Sequence, residues 1–172
     1  MFPAMRRWKQ QLTQQACVEL LKQEPRGVLS LMGEDGYPYG LPISYWYCEA
    51  DGKIYFHGAK SGHKIDAIQC CNKASFCVYD QGFRREGEWA LNIKSVIVFG
   101  RVRVLENEAQ MRAAIELLAR RYFPEDSAEN RRRAIEREWA GLCMLEMDIE
   151  HLSGKEAVEL ARERAGEGGS KQ

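Results

Sequence analysis

The sequence predicts an α+β fold that is mainly antiparallel β, with about six strands forming a small barrel and helices at its periphery. Three observations carry this. Two Asp-Gly pairs, Asp35-Gly36 and Asp51-Gly52, separate apolar and aromatic runs, as tight hairpin turns with positive φ require. Val96, Val98, Val102 and Val104 alternate with Arg101 and Arg103, the period of a half-solvated strand. Helical spacing is confined to the ends of the chain and to segments between strands, without the strand-helix alternation of a doubly wound sheet.

The elements follow in order. Leu12, Ala16, Cys17, Leu20 and Leu21 fall at helical spacing, and Pro25 stops that helix. Gly27 to Leu31 reads as a strand, Leu41 to Cys48 as a second beyond the first Asp-Gly turn, and Lys53 to Phe56 as a third beyond the next. Ser61 is placed to cap a short helix running to about Cys71, with Ile65 and Ile68 on one face. Ala74 to Tyr79 resumes as a strand, and Gln81 to Asn92, with two glycines and mixed charge, reads as a long surface loop. Gly100 marks an expected bulge in the strand that follows. Met111, Ile115, Leu118 and Tyr122 give a helix ended by Pro124, and Ile135 and Trp139 a second one. Leu145, Met147 and Ile149 alternate with Glu146, Asp148 and Glu150 in a last strand, and Gly154 to Leu160 is expected to be a short helix. The reading is one domain over residues 1–160, with an apolar-poor, disordered tail over 161–172.

Composition narrows the function classes. At 172 residues, 45% hydrophobic and 29% charged, the chain is an ordinary globular domain with no apolar run long enough to span a bilayer. The positive N-terminus has no apolar stretch behind it, so no secretory signal is read and a cytoplasmic location is expected. Lys plus Arg and Asp plus Glu number 25 each, leaving no net field to gather nucleic acid. The six cysteines include no pair separated by two residues, so neither a zinc knuckle nor a redox pair is expected. His57 and His63 have no convincing third metal ligand in the sequence, and no metal is assigned.

The segment His57 to Lys64 (H-G-A-K-S-G-H-K) carries the chemistry. A phosphate monoester needs cations, hydroxyls and free backbone N–H groups at close range. Here a strand ends near His57, Gly58 and Gly62 permit close backbone approach, and Ser61 leads into a helix start, which offers unpaired N–H groups and partial positive charge. Three residues between the glycines, and Ile65 after Lys64, exclude a Walker A loop. Taken alone, G-x-x-x-G-x-K also describes an ordinary capped helix with exposed Lys and His.

Three motifs in series resemble the nitroimidazole-resistance branch of the pyridoxamine 5′-phosphate oxidase-like, FMN-binding split barrels: Gly33 to Tyr45 (G-E-D-G-Y-P-Y-G-L-P-I-S-Y), Lys53 to Asp66 (K-I-Y-F-H-G-A-K-S-G-H-K-I-D) and Ser95 to Gly100 (S-V-I-V-F-G). His151 to Lys155 (H-L-S-G-K) resembles that family's closing element. The resemblance implies a six-stranded split barrel of Greek-key type, paired as a homodimer with FMN in each of two clefts between subunits. It implies Pro42, Ile43 and Ser44 along the isoalloxazine, largely through backbone groups, with Ser95 and Val96 as further ring-side candidates. His57, Ser61, Gly62, His63 and Lys64 would surround ribityl and phosphate, and His57 is the candidate proton donor to a reduced substrate. Trp89 in the long loop is a candidate ring cover, against the competing reading of a surface or dimer-packing residue.

The function implied is FMN-dependent reduction of a small electrophile, such as a nitroimidazole or nitroaromatic, with electrons from a nicotinamide or another carrier. Oxidation of pyridoxamine phosphate is disfavoured, because no Arg-x-His element occurs near the C-terminus. The competing class is a non-catalytic protein of the same fold that stores or senses flavin or haem; deazaflavin is a further cofactor used within the fold.

Overall fold

The structure, a computed structural model, describes residues 2–166. Its strands are β1 (Arg26–Met32), β2 (Pro38–Cys48), β3 (Lys53–Ala59), β4 (Lys73–Tyr79), β5 (Lys94–Val104) and β6 (Leu142–Glu156). All neighbours pair antiparallel in the order β1-β2-β3-β6-β5-β4, and β1 pairs with β4 to close the barrel. Gly36 and Gly52 sit at φ of +80° and +71°, as the two Asp-Gly turns demand.

Among the described residues, five α-helices surround the barrel: α1 (Gln14–Gln23), α2 (His63–Cys70), α3 (Glu108–Tyr122), α4 (Ala128–Glu138) and α5 (Val158–Arg164). Side-chain oxygens of Thr13, Asn107 and Ser127 accept the N–H groups of Ala16, Gln110 and Asn130 and so begin α1, α3 and α4. Among the described residues, no helix is long and apolar enough to cross a membrane.

The barrel interior is filled by alternate residues of every strand, including Leu29, Tyr45, Phe56, Phe76 and Val98, none measurably exposed. Tyr45 and Phe56 meet the Phe76 ring edge-on, with centroids 4.8 and 5.1 Å away. Helix α1 closes one end of the barrel with Cys17, Leu20 and Leu21. A second cluster lies outside it, where Ala114, Ile115 and Leu118 of α3 cover Tyr55, Leu142 and Met144.

That second cluster corrects the reading of the last strand. Both faces of β6 are covered from Leu142 to Met147, so every residue there is buried and the expected polar alternation fails. Glu146 is only 5% exposed, held by Lys53 at 2.8 Å and Arg103 at 2.6 Å. The bulge falls at Gly100, as expected, but its extra residue is Glu150 on the opposite strand: Phe99 pairs with His151 and Gly100 with Ile149. A Cβ at Gly100 would stand 2.0 Å from the Asp148 carbonyl oxygen, so only glycine permits this approach.

Two further expectations are corrected at the C-terminus. Gly154 does not open a helix; it pairs with Val96, where a Cβ would meet the Cys17 sulfur at 2.4 Å. The last helix instead begins at Val158 and continues through Arg164, so disorder does not begin at Ala161. Ala161 is buried, and Arg164 holds Glu156 at 2.8 Å and donates to the carbonyls of Lys9 and Gln11. Residues 167–172 of the expected tail lie outside the described residues.

Candidate functional site

The candidate residues sit where two strands part. β2 pairs with β3 only from Tyr45–Phe56 to Cys48–Lys53. Upstream, Pro38 to Ser44 pair with β1, whereas His57 to Ala59 pair with β6. Pro42–Ser44 and His57–Ala59 therefore form the two lips of a split in the barrel wall.

Beyond β3 the chain turns through Ser61 and Gly62 into α2. Gly62 is the N-cap at φ +116°, a conformation that L side chains rarely adopt. No side chain caps the helix, which corrects the expectation for Ser61: it stays exposed, its hydroxyl uncommitted to the helix. The first helical N–H to find an acceptor is that of Ile65, bonded to the Gly62 carbonyl at 2.8 Å. The preceding amides of His63 and Lys64 have no helical acceptor and carry the positive end of the helix dipole.

Lys64 folds back over β3. A Cβ at Gly58 would lie 2.1 Å from the Lys64 Nζ, so the glycine opens the path that this side chain follows. Among the described residues no carboxylate pairs with this ammonium, and burial holds it below the ordinary lysine range. A half-buried cation without a counter-charge is costly unless an anion is to join it.

His57 projects outward from β3 onto a cavity of about 340 Å³ shared with Ile115, Leu118 and Tyr122 of α3. The surrounding protein, and then the Lys64 ammonium, hold its imidazole below the ordinary histidine range, so at neutral pH it is uncharged. His63 turns elsewhere: its ring meets Tyr39 edge-on at 4.3 Å, against the β1–β2 hairpin. Within one chain, then, the site has the backbone of His63 and the side chains of His57 and Lys64 on one lip.

On the other lip, Pro42 is exposed and lines a shallow cleft of about 270 Å³ with Gly27, Val28 and Tyr79, and Ser44 is half-buried beside it. Ile43 and Val96 are core residues, 9% and 0% exposed, so only their backbone can face a ligand. Ser95, the second residue of β5, is half-buried and paired with Tyr79 and Lys155, so like Val96 it stands on neither lip. Trp89 stands 95% exposed on the Gln81–Asn92 loop, covering nothing within its own chain.

Two features escape a sequence reading. The Tyr122 hydroxyl accepts the Tyr45 N–H at 2.9 Å and faces the carbonyls of Pro25 and Tyr45, completing the edge of β2 beside the start of β1. Helical spacing had marked Tyr122 only as an apolar position; nothing local indicates its hydroxyl's partner. The outer face of the barrel is also apolar: Val28, Cys77 and Ile97 lie in register across β1, β4 and β5, with Phe99 beside them stacked near His151 and Phe2. Ile97 and Phe99 are 39% and 37% exposed. The unbroken Val96–Phe99 run is the one sequence signal of this face.

Comparison with known proteins bears on the family and the fold. The family description pyridoxamine 5′-phosphate oxidase matches residues 13–156. No curated protein matches. Among solved structures, an FAD-binding protein of Mesorhizobium loti is 25% identical, covering 86% of this chain and 96% of its own, with a TM-score of 0.63. A candidate 5-nitroimidazole antibiotic resistance protein of Bacteroides thetaiotaomicron shows the same fold at 18% identity, 84% and 85% coverage and a TM-score of 0.69. So does an FAD and heme binding protein of Mycobacterium smegmatis, at 22% identity, 86% and 73% coverage and a TM-score of 0.67.

Proposed function

Because the chain belongs to the pyridoxamine 5′-phosphate oxidase family, we propose that it is a flavin-dependent reductase that holds FMN across the split between β2 and β3. The observation that carries this reading is the Lys64 ammonium, half-buried over Gly58 without a carboxylate, beside the unbonded amides of His63 and Lys64. That set fits one phosphate monoester, which brings the missing negative charge and accepts from both amides. The exposed Ser61 hydroxyl adds a donor within the same turn. FMN supplies hydride and electron transfer when bound. The backbone of Pro42 to Ser44 would hold the ring; Ser95 and Val96, on β5, are separated from both lips in the strand order and would not reach it within one chain.

His57 is the proton-handling group. Being neutral, its imidazole keeps a hydrogen on one nitrogen and a lone pair on the other, so it can give or take a proton at the rim of the cavity. The apolar outer face of Val28, Cys77, Ile97 and Phe99 supports a homodimer, since an exposed patch of this kind rimmed by polar residues marks an interface. With flavin bound to supply the redox chemistry, the reaction would take electrons from a nicotinamide and deliver them to a small electrophile of the nitroimidazole or nitroaromatic class.

Anaerobic NADPH and NADH, followed by a nitroaromatic, test this on the purified protein. Bleaching of the flavin band by a donor and its return with the acceptor are expected. A flavin that neither donor reduces would contradict the reductase, and a haem Soret band would replace it with the binding-protein reading.

A further inference from the structure

The cavity of about 340 Å³ behind His57 lies between α3, α4 and the outer surface of β3 and β6. Its walls are largely apolar, formed by Ile115, Leu118 and Tyr122 of α3, Ile135 of α4, and Leu142, with His57 at one end. The wall contributed by α4 is weakly held. None of the eleven residues of α4 is buried, and isolated helices shorter than about 12–15 residues are marginal in water without a packed face. Polar tethers hold it instead: Arg112 pairs with Glu136 and lies 4.0 Å from the Trp139 ring centroid, and Arg131 donates to the Phe123 carbonyl at 2.9 Å. An apolar space is thus roofed by a helix that buries no residue fully and packs only Ile135 against the cluster below.

We propose that this cavity binds a neutral aromatic of one or two fused rings bearing a hydrogen-bond acceptor, and that α4 packs down on it. Size excludes a dinucleotide, because 340 Å³ lies near the lower end of the range for small-molecule sites, about 300–1,000 Å³. Charge excludes an ion, because Arg131 at the rim is balanced by Asp126 and Glu138. His57, uncharged at neutral pH, presents an N–H to a carbonyl or similar acceptor on the ring. A ring bound there supplies the apolar surface that α4 lacks, which couples ligand binding to the order of that helix. The inference rests on the flavin reading in one respect: it makes this ring the molecule reduced beside the cofactor.

Coumarin, a neutral two-ring lactone, is a suitable probe. Calorimetric titration of the FMN-loaded protein should show saturable binding, tighter than that of naphthalene, which lacks the acceptor, or coumarin-3-carboxylate, which is charged. Amides of Ala128–Glu138 should exchange more slowly with coumarin present. Ala134→Trp, which fills the cavity from an exposed position on α4, should weaken coumarin about tenfold or more and leave flavin content unchanged. Ala119→Leu does the same from α3 if the first variant folds poorly. Absent binding, affinity indifferent to both variants, or preference for the carboxylate would overturn the proposal. A protein without flavin that still binds coumarin in this way sinks the flavin reading alone; one with flavin and no variant-sensitive coumarin sinks the cavity alone.

Discussion

Replacing Lys64 with Met removes a half-buried charge at the α2 start that has no acidic partner among the described residues, while keeping its apolar stem over Gly58. Charge-assisted hydrogen bonds contribute about 1.5–3 kcal/mol each. Losing one to the FMN phosphate should therefore weaken FMN about ten- to a hundredfold. Riboflavin, which lacks the phosphate, should bind wild type and variant alike, so the loss appears only as a difference between two ligands. The apo-protein should be at least as stable to denaturant as wild type, because a half-buried cation without a counter-charge has been removed. His63→Ala should cost less FMN affinity than Lys64→Met, since its ring is engaged with Tyr39 and its backbone N–H survives the change. Fluorescence titration of apo-protein with each flavin reads all of this. Equal FMN affinity in wild type and Lys64→Met, or an equal loss for riboflavin, would refute the reasoning.

Other consequences follow from the same geometry. The His57 imidazole should titrate below 6.5 in the apo-protein by NMR, and its midpoint should rise when phosphate offsets the Lys64 charge; a midpoint at or above 6.5 without ligand would contradict the assignment. Tyr122→Phe leaves the Tyr45 N–H without its acceptor, a loss of about 1–3 kcal/mol in denaturant unfolding; an unchanged midpoint would show that this bond contributes nothing. Burial alone would raise the Glu146 carboxyl, but Lys53 and Arg103 overcome it and hold it below the ordinary range. Its folded pKa being depressed, the stability it contributes is present above the unfolded value of 4.5 and lost as pH falls through the folded value; Glu146→Gln should flatten that acid limb. Gly100→Ala should destabilise by about 1–3 kcal/mol or more, because the Asp148 backbone blocks its methyl.

The hairpins were legible because turn chemistry is local: the glycines of Asp35-Gly36 and Asp51-Gly52 take positive φ without steric cost, and both do so here. The alternating half of β5 was legible because one of its faces meets water. β6 was not, since α3 covers its outer face and erases the alternation through Glu146. Ser61 resembled a cap by residue type, yet Gly62 alone tolerates the φ that the turn demands. At the site, the motifs identified the segment His57 to Lys64, but not the divergence of its side chains. Whether His63 turns to Tyr39, or Lys64 lies over Gly58, is decided by residues far away in the chain. The α3–α4 cavity was invisible for the same reason: its walls come from four elements that no local pattern connects.

The central claim is that the split between β2 and β3 holds FMN by its phosphate. Releasing the chromophore from purified protein by acid, and identifying it by mass and absorbance, tests this most directly. The expected result is FMN at about one per chain, and less than that in Lys64→Met. FAD, haem or no chromophore, in protein refolded with FMN as well as in protein as purified, would contradict it.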